Sequence, residues 1–444
     1  MYIGIDDTDS GKGSCTTYVL TEVIRSMSLE YDIIGYPRLV RLNPNIPWKT
    51  RGNGALSLRI GKGSGKKKLC GMIGDVEYYC YERGINAENK ELVLGKIKPI
   101  VEKLARVEDP NTNPGIVVSE KKFSQSLYWD AVRDVLSIDY VKNVVETQNA
   151  LYKMYKNGRG IIGASAAISW RPLRKTYELI SYRDSSRWNE TKREVDESTV
   201  KWLEYNEDLL FNTYDAFNHH SCISPHTTCP ILYGVRALNP KKLLEIRNTI
   251  KSEKVDRWFI YETNQGTDDH IVKSSIKNLR AFGSYKIHGH VVKYPVKING
   301  GHAFVEIADN TGSIILAFYS ESGQMNKIAT LLIPGDYVCA YGSVKEGLHG
   351  YQMNVEKLII KKLALKNIKI SNPVCDICGK RMKSYGKGGY RCKTCHTKKP
   401  KDKASFSYID RGINIGVYVP PTSRFRHLAM PPKIAPFLRR IVDC

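Results

Sequence analysis

The chain of 444 residues has no apolar run approaching the roughly 18 residues that a membrane-spanning helix needs. Its N-terminus lacks the basic region and small-residue cleavage site of a secretory signal, since the first strand-like residues run straight into acids. Both absences predict a soluble, cytoplasmic protein with no membrane partner. Acids are also scarce: 45 Asp and Glu stand against 68 Lys and Arg, for a net charge of +23. The deficit is uneven. From Lys361 to Cys444 there are 20 Lys and Arg against 4 Asp and Glu, which carries +16 of the total. A basic C-terminal fifth predicts a polyanionic partner. Its charges sit among glycines, prolines and cysteines rather than on an amphipathic helix, which argues against a membrane surface. Disulfide patterning is missing too. Of 11 cysteines, seven (Cys15, Cys70, Cys80, Cys222, Cys229, Cys339, Cys444) are scattered, as expected of reduced thiols in a cytosol.

At this length about three domains are expected, and 42% hydrophobic residues suffice for several cores. The chain is organised around YIGIDDTDSGKGSCTT, residues 2–17. Tyr2 to Ile5 reads as a buried strand, Asp6, Asp7 and Asp9 follow within four positions, and Gly11-Lys12-Gly13 form a flexible loop. Cys15-Thr16-Thr17 then open a helix. Strand, glycine loop and helix start make a phosphate-binding geometry. Clustered carboxylates beside such a loop suit Mg²⁺ bridging nucleotide phosphates. The spacing is not that of a P-loop, and Asp-Gly-Ser clusters are commonly plain turns. Local pattern alone favours the turn, and like charges this close, which repel unless a cation or ligand holds them, narrow that margin. A second glycine-rich loop, Lys49-Thr50-Arg51-Gly52-Asn53-Gly54, offers Lys49, Arg51 and Asn53 to phosphates, or else simply joins two strands. Gly61 to Lys68 reads as a mobile basic turn. Gly160 to Ile168, small and apolar, suits tight packing as either a strand or a helix.

Strands mixed with helices over about 200 residues predict an α/β or α+β first domain. Ile231–Val235, a helix from Asn239 and Arg257–Glu262 form a strand–helix–strand unit of ferredoxin-like size. It ends in Thr263-Asn264-Gln265-Gly266-Thr267-Asp268-Asp269-His270, a polar loop placed to meet a ligand, or a capped turn. His219, His220, Cys222, His226 and Cys229 fit no standard zinc spacing and read as structural. Residues 281–365 read as five strands with a helix between the third and fourth, the order of an OB barrel. Tyr294, Phe304, Phe318, Tyr319 and Tyr351 are candidates for base stacking, several of them core by strand alternation, so none is singled out as a contact. Cys375-x₂-Cys378-x₁₃-Cys392-x₂-Cys395 places four thiolates around one structural Zn²⁺ with no open position.

Taken together, GIDDTDS with CTT, YPRLVRLNPNIPWKTRGNGA, TYELISYR, ETNQGTDDH, the OB segment and the Cys₄ ribbon followed by VPPTSRFRHLA resemble the archaeal tRNA(isoleucine) 2-agmatinylcytidine synthetase family across nearly the whole chain. The resemblance implies a multidomain α+β protein. Its units are a kinase-like ATP-dependent domain (1–205), a ferredoxin-like domain (206–280), an OB-fold domain (281–365), and a zinc ribbon with basic tail (366–444). It implies that ATP, agmatine and an isoleucine tRNA with a CAU anticodon react at carbon 2 of the wobble cytidine. The base is phosphorylated first, and ATP is consumed to AMP and two phosphates. It also implies that the family's autophosphorylated threonine falls on Thr16. Separately from the resemblance, the acidic pair Asp268 and Asp269 with Asn264 and Gln265, on a loop at a strand end, suits the cationic guanidinium or amine of agmatine, or else is a solvated turn. The competing expectation is a non-catalytic RNA-binding protein, in which the OB barrel and ribbon are the whole function.

Overall fold

The computed structural model describes residues 1–438 except 12, 50–51, 348–349 and 387–388. A mixed sheet of eleven strands forms its first part. In chain order the elements are β1 (Tyr2–Asp6), α1 (Thr16–Met27), β2 (Asp32–Ile34), β3 (Arg38–Arg41), β4 (Gly54–Ile73), β5 (Val76–Asn86), α2 (Lys90–Leu104), β6 (Gly115–Ser119), α3 (Gln125–Arg133), α4 (Ile138–Thr147), β7 (Leu151–Met154) and α5 (Gly160–Ser169). They continue with β8 (Thr176–Arg183), α6 (Glu197–Asn206), β9 (Leu210–Phe211), a short hairpin of β10 (Tyr214–Asp215) and β11 (His220–Ser221), β12 (Ile231–Ala237), α7 (Pro240–Ile246) and β13 (Val255–Thr263). The strand order is β7-β6-β1-β4-β3-β13-β8-β12-β9, with β2 and β5 beside β4. Every pairing in it is antiparallel except β3–β13 and β2–β5. The sheet therefore runs unbroken from the first expected unit into the second: β8 lies between β12 and β13.

Strand β1 sits centrally because its two faces are both buried. Ile3 and Ile5 join the core under α1 and α2. Gly4 faces α5, and any Cβ there would overlap the Ala164 carbonyl. Small residues in Gly160–Ser169 thus serve a helix, pressed onto the sheet at van der Waals distance. The expected basic turn over Gly61–Lys68 is instead the middle of β4, which spans twenty residues. Its partner β5 supplies backbone hydrogen bonds along the whole ribbon, with register shifts between Ser64 and Lys67 and between Leu69 and Gly71. An exposed two-stranded ribbon needs no apolar alternation, so the hydrophobic pattern carried no sign of it.

The OB barrel forms as expected. Its strands are β14 (Ile271–Lys273), β15 (Ser284–Val291), β16 (Val296–Lys297), β17 (Ala303–Ala308), β18 (Ser313–Phe318), β19 (Tyr337–Gly347) and β20 (Gly350–Lys362), with α8 (Gln324–Ala329) between β18 and β19. Antiparallel β15–β17 and parallel β18–β20 pairings close it. The zinc-ribbon segment leaves this barrel after β20, and Gly416–Tyr418 returns to pair with Leu358–Ile360 of the same strand. The tail then crosses back to the first sheet, where Met430 and Ile434 pack on Phe211. Among the described residues no helix is long and apolar enough to cross a membrane.

Candidate active site and zinc centre

The end of β1 opens into a cavity of about 340 Å³ lined by Asp6, Asp7, Asp9 and Thr16, with Lys49, Asn53 and Arg159 around them. The loop after β1 is fastened from outside. Ser10 Oγ donates to Asp109 Oδ2 at 2.6 Å, Thr112 Oγ1 donates to the Asp9 carbonyl at 2.6 Å, and Ser14 Oγ donates to the Thr8 carbonyl at 2.8 Å. Asp7 is held at φ 54°. Gly163 of α5 leaves room for Asp6, since a Cβ there would overlap Asp6 Oδ2. The acids are therefore crowded and dry. Burial, then the neighbouring Asp7, pushes the Asp6 carboxyl well above its usual range. Burial likewise raises Asp7 to about 6, although Arg159 and Asn113 favour its charged form. Oxygen ligands crowded in this way, with Asp6 and Asp7 disfavoured as anions chiefly by burial, are chemically suited to a hard cation.

Thr16 is the first helical residue of α1, and the N-cap position belongs to Cys15. Thr16 therefore does not cap the helix. The capping acceptor comes from the acidic loop, where Asp9 Oδ1 accepts both the Thr16 backbone N–H at 2.5 Å and the Thr16 hydroxyl at 2.8 Å. A buried hydroxyl donating to a carboxylate is the arrangement of a nucleophile and its base. Of the loop glycines, Gly11 accepts a hydrogen bond from Thr228 through its carbonyl and Gly13 sits at φ 103°. Neither lines the cavity. Lys12 and Arg51 lie outside the described residues.

The second loop completes the wall. Asn53, at φ 45°, donates from Nδ2 to the Asn43 carbonyl at 2.7 Å. Lys49 donates to the Pro44 carbonyl, and burial followed by the nearby Arg426 lowers its amine. Beneath the loop lies a buried network. Glu178 accepts from Gln265 Nε2 at 2.6 Å and pairs with Arg236 at 3.1 Å and Arg41 at 3.9 Å. Gln265 Oε1 lies 3.0 Å from His427 Nδ1. Arg41 above all, then burial, keeps His427 well below the usual imidazole range, so it is neutral and donates through Nδ1.

Asn264, Gln265, Asp268 and Asp269 do not line this cavity. The Asn264 amide accepts from the Arg41 N–H at 2.7 Å and donates to the Arg41 carbonyl at 2.9 Å, extending the short β3–β13 ladder by a side chain. Asp268 pairs with Lys357 at 2.8 Å and accepts from the Met430 N–H at 2.6 Å. Asp269 accepts from the Tyr128 hydroxyl at 2.7 Å, and Arg174 stands 3.9 Å away. The polar loop is thus committed internally, joining β13 to the OB barrel and to the tail.

In the ribbon the four thiol sulfurs of Cys375, Cys378, Cys392 and Cys395 lie within 4.8 Å of one another. Gly379 at φ 64° and His396 at φ 58° turn the two knuckles, whose N–H groups reach back to the carbonyls of Cys375 and Cys392. The donor set fits one tetrahedral zinc with no open position. Asp215, His220 and Cys222 also cluster. The Asp215 carboxylate is, however, filled by donors from Phe217, Asn218 and Ser423, and it pins the tail to β10. Of the OB aromatics, Phe318 is core, whereas Tyr294 and Tyr351 are exposed.

Family models match the chain in four consecutive pieces: the TiaS TCKD domain at residues 2–157, the TiaS FLD domain at 158–270, an OB-fold nucleic acid binding domain at 285–361, and the TiaS C-terminal zinc ribbon domain at 372–413. The isoleucine tRNA 2-agmatinylcytidine synthetase TiaS of Methanocaldococcus jannaschii is 36% identical over 442 residues, covering 97% of this chain and 98% of its own. The chain belongs to the isoleucine tRNA 2-agmatinylcytidine synthetase family. Two solved structures superimpose on it over 100% of its length and 98% of theirs. One is a complex of TiaS with its isoleucine tRNA and ATP, at 33% identity and a TM-score of 0.82. The other is a complex of TiaS with that tRNA, AMPCPP and agmatine, at 30% and 0.80.

In this synthetase-family chain several site residues carried no local signal in the sequence. Arg159 reaches Asp7 at 4.0 Å and lies over the Trp48 ring. Asp134, just past α3, and Ile162 of α5 also line the cavity. His427 arrives from the tail, which had read only as basic charge. The one available signal was the small-residue run Gly160–Ile168, which marked a close approach without naming its partner.

Proposed function

We propose that this chain attaches agmatine to carbon 2 of the wobble cytidine of an isoleucine tRNA with a CAU anticodon, consuming ATP to AMP and two phosphates. The observation that carries this reading is the crowded trio Asp6, Asp7 and Asp9 around a cavity, with the Thr16 hydroxyl bonded to Asp9. A protein that only bound RNA through its barrel and ribbon would have no use for three crowded carboxylates, whose burial costs free energy. In this reading Asp6, Asp7 and Asp9 hold Mg²⁺, which supplies positive charge to the phosphates of ATP. Thr16 attacks the terminal phosphate and Asp9 takes its proton. Lys49 and Asn53 hold the nucleotide in the cavity, Lys12 and Arg51 are the loop cations available to its phosphates, and Gly11 and Gly13 shape the acidic loop from outside the lining. ATP gives up two phosphoryl groups in this reading. The terminal one passes to Thr16 and is released by water as the first phosphate. The next passes from the remaining ADP to O2 of the cytidine, leaving AMP. The phosphorylated O2 then departs as the second phosphate when the primary amine of agmatine displaces it at carbon 2.

Chemistry belongs to the first unit (1–205), whose sheet the ferredoxin-like unit (206–280) completes. The OB barrel (281–365) and the zinc-bound ribbon with its tail (366–444) hold tRNA by charge. Such a reaction runs in the cytoplasm, where its substrates are. Asn264, Gln265, Asp268 and Asp269 act on agmatine indirectly, by fixing β3 and the tail around the cavity. The test is incubation of the protein with ATP, agmatine and the unmodified isoleucine tRNA, followed by nucleoside mass spectrometry. Agmatinylcytidine that requires all three reactants is the expected result. ATP turnover independent of tRNA and agmatine, with no new nucleoside, refutes the reading.

A further inference from the structure

A second cavity, about 390 Å³ in volume, opens on the same face of the sheet at the opposite end of α5. The ten residues of α5 put it about 15 Å from the acidic trio. Five cations line it: Arg38, Arg59, Lys68, Lys122 and Lys175. Two carboxylates, Glu82 and Glu262, face them, and one is already committed: Glu262 pairs with Arg38 at 3.1 Å and with Lys175 at 2.8 Å. Among the described residues Arg59, Lys68 and Lys122 have no carboxylate within ion-pair distance. Arg59 donates to Asn86 Oδ1 at 2.8 Å and the Gly84 carbonyl at 2.9 Å. Burial, with Arg38, Arg171 and Arg59 nearby, lowers the Lys122 amine to about 7. Burial is the larger cause, and the surrounding guanidiniums add to it against the opposing pull of Glu262.

Part of this charge is structural. Arg38 and Lys122 both donate to the Trp170 carbonyl just past the end of α5, at 2.9 and 3.1 Å, where cations suit the helix dipole. Arg59 is likewise tied to β5 through Asn86 and Gly84 but still faces the cavity, and among the described residues Lys68 lines it with no ion pair of its own. The remaining walls are aromatic, with Tyr2, Tyr36, Tyr81 and Tyr177 around the opening. The β4–β5 ribbon that supplies Lys68 also carries exposed Lys62, Lys66, Lys67 and Arg83 alongside Asp75, Glu77 and Glu82.

We propose that this cavity binds one nucleotide, its phosphate on Arg59, Lys68 and Lys122 and its base or sugar against the tyrosines. The volume suits a ligand of that size. Arg and Lys around phosphate with aromatics at base height are the shared chemistry of free mononucleotides and of a residue in an RNA chain. The RNA source rests on the function proposed above, whereas the site itself does not.

Full-length, zinc-loaded protein and its Lys68→Ala, Lys122→Met and doubly substituted variants are titrated with two probes, 5′-CMP and an unmodified isoleucine tRNA transcript at several salt concentrations. Lys68 is half-exposed and makes no ion pair, so Lys68→Ala keeps the fold, and an unchanged unfolding midpoint checks this. Each substitution is expected to weaken its ligand about tenfold, as loss of a charge-assisted hydrogen bond does. If the nucleotide belongs to tRNA, the slope of log affinity against log salt falls by roughly 1 per lysine removed. Weakening confined to 5′-CMP assigns the site to a free nucleotide. Unchanged affinity for both probes in the double variant overturns the proposal. If the parent forms no agmatinylcytidine but the affinities respond, the site stands and the proposed reaction fails.

Discussion

Replacing Asp7 with Asn tests whether the acidic loop stores free energy for a cation. In the fold Asp7 is raised from 3.8 to about 6, chiefly by burial. A raised carboxyl holds its proton more tightly folded than unfolded. Its contribution is favourable below pH 3.8 and is lost as pH rises through 6. Each pH unit is worth about 1.4 kcal/mol, so ionised Asp7 costs the metal-free fold roughly 3 kcal/mol at about pH 8. Asn resembles the protonated acid in shape and charge. In EDTA at about pH 8, Asp7→Asn is therefore expected to be more stable than the parent by roughly 3 kcal/mol, and near pH 4 the two should nearly coincide. Magnesium should close the gap at the higher pH by stabilising only the parent, while agmatinylcytidine formation is lost in the variant. All six tryptophans, from Trp48 to Trp258, lie in the first 258 residues. Tryptophan fluorescence in urea thus follows the large sheet without the barrel or ribbon. A variant less stable than the parent at the higher pH in EDTA, or a difference that ignores pH, defeats the reasoning.

Two further outcomes follow from the same geometry. Thr16→Ser keeps the hydroxyl that Asp9 accepts and should remain active, with phosphate found on residue 16. Thr16→Asn should fold and bind tRNA yet make little product, and parent-level product from it would exclude Thr16 as the phosphate acceptor. Cys378→Ser should release zinc, measured by atomic absorption, and weaken tRNA binding while leaving the tryptophan unfolding curve unchanged. Equal tRNA affinity after zinc loss would remove the ribbon from the binding surface.

The acidic loop was legible because charge density at a strand end is a local property: Asp6, Asp7 and Asp9 announce a cost that something must offset. The Cys₄ ribbon was legible for the same reason, since its ligands come in two short spacings. The OB barrel could be read from alternation and turns. Asp268 and Asp269 show the limit of that method. Their partners Lys357 and Tyr128 stand 89 and 141 residues away in sequence, and only the folded chain reveals that the pair is already engaged. The length of β4 was hidden differently. Its exposed half is held by backbone pairing, and its lysines and glycines resemble a loop in every compositional respect.

The tail gives the ribbon a physical link to the acidic cavity. The ribbon is an excursion from one strand, leaving after β20 and returning to pair with it at Gly416–Tyr418. From there the chain passes directly to residues fastened on both sides of the cleft between barrel and sheet. Arg426 meets Glu356 at 3.3 Å and Ser343 at 3.1 Å on the barrel and reaches Asn45 ahead of the second loop. Ser423 binds Asp215, His427 binds Gln265, and Met430 binds Asp268. The His427 ring fills the space beside Gly52, where any Cβ would collide with it, so the tail is packed against the loop that carries Lys49 and Asn53. A displacement of the tail therefore has to move that loop. The basic C-terminal fifth thus combines two physical features: a lysine-rich ribbon, and a segment from Ser423 to Met430 that backs the loop carrying Lys49 and Asn53 without itself lining the cavity.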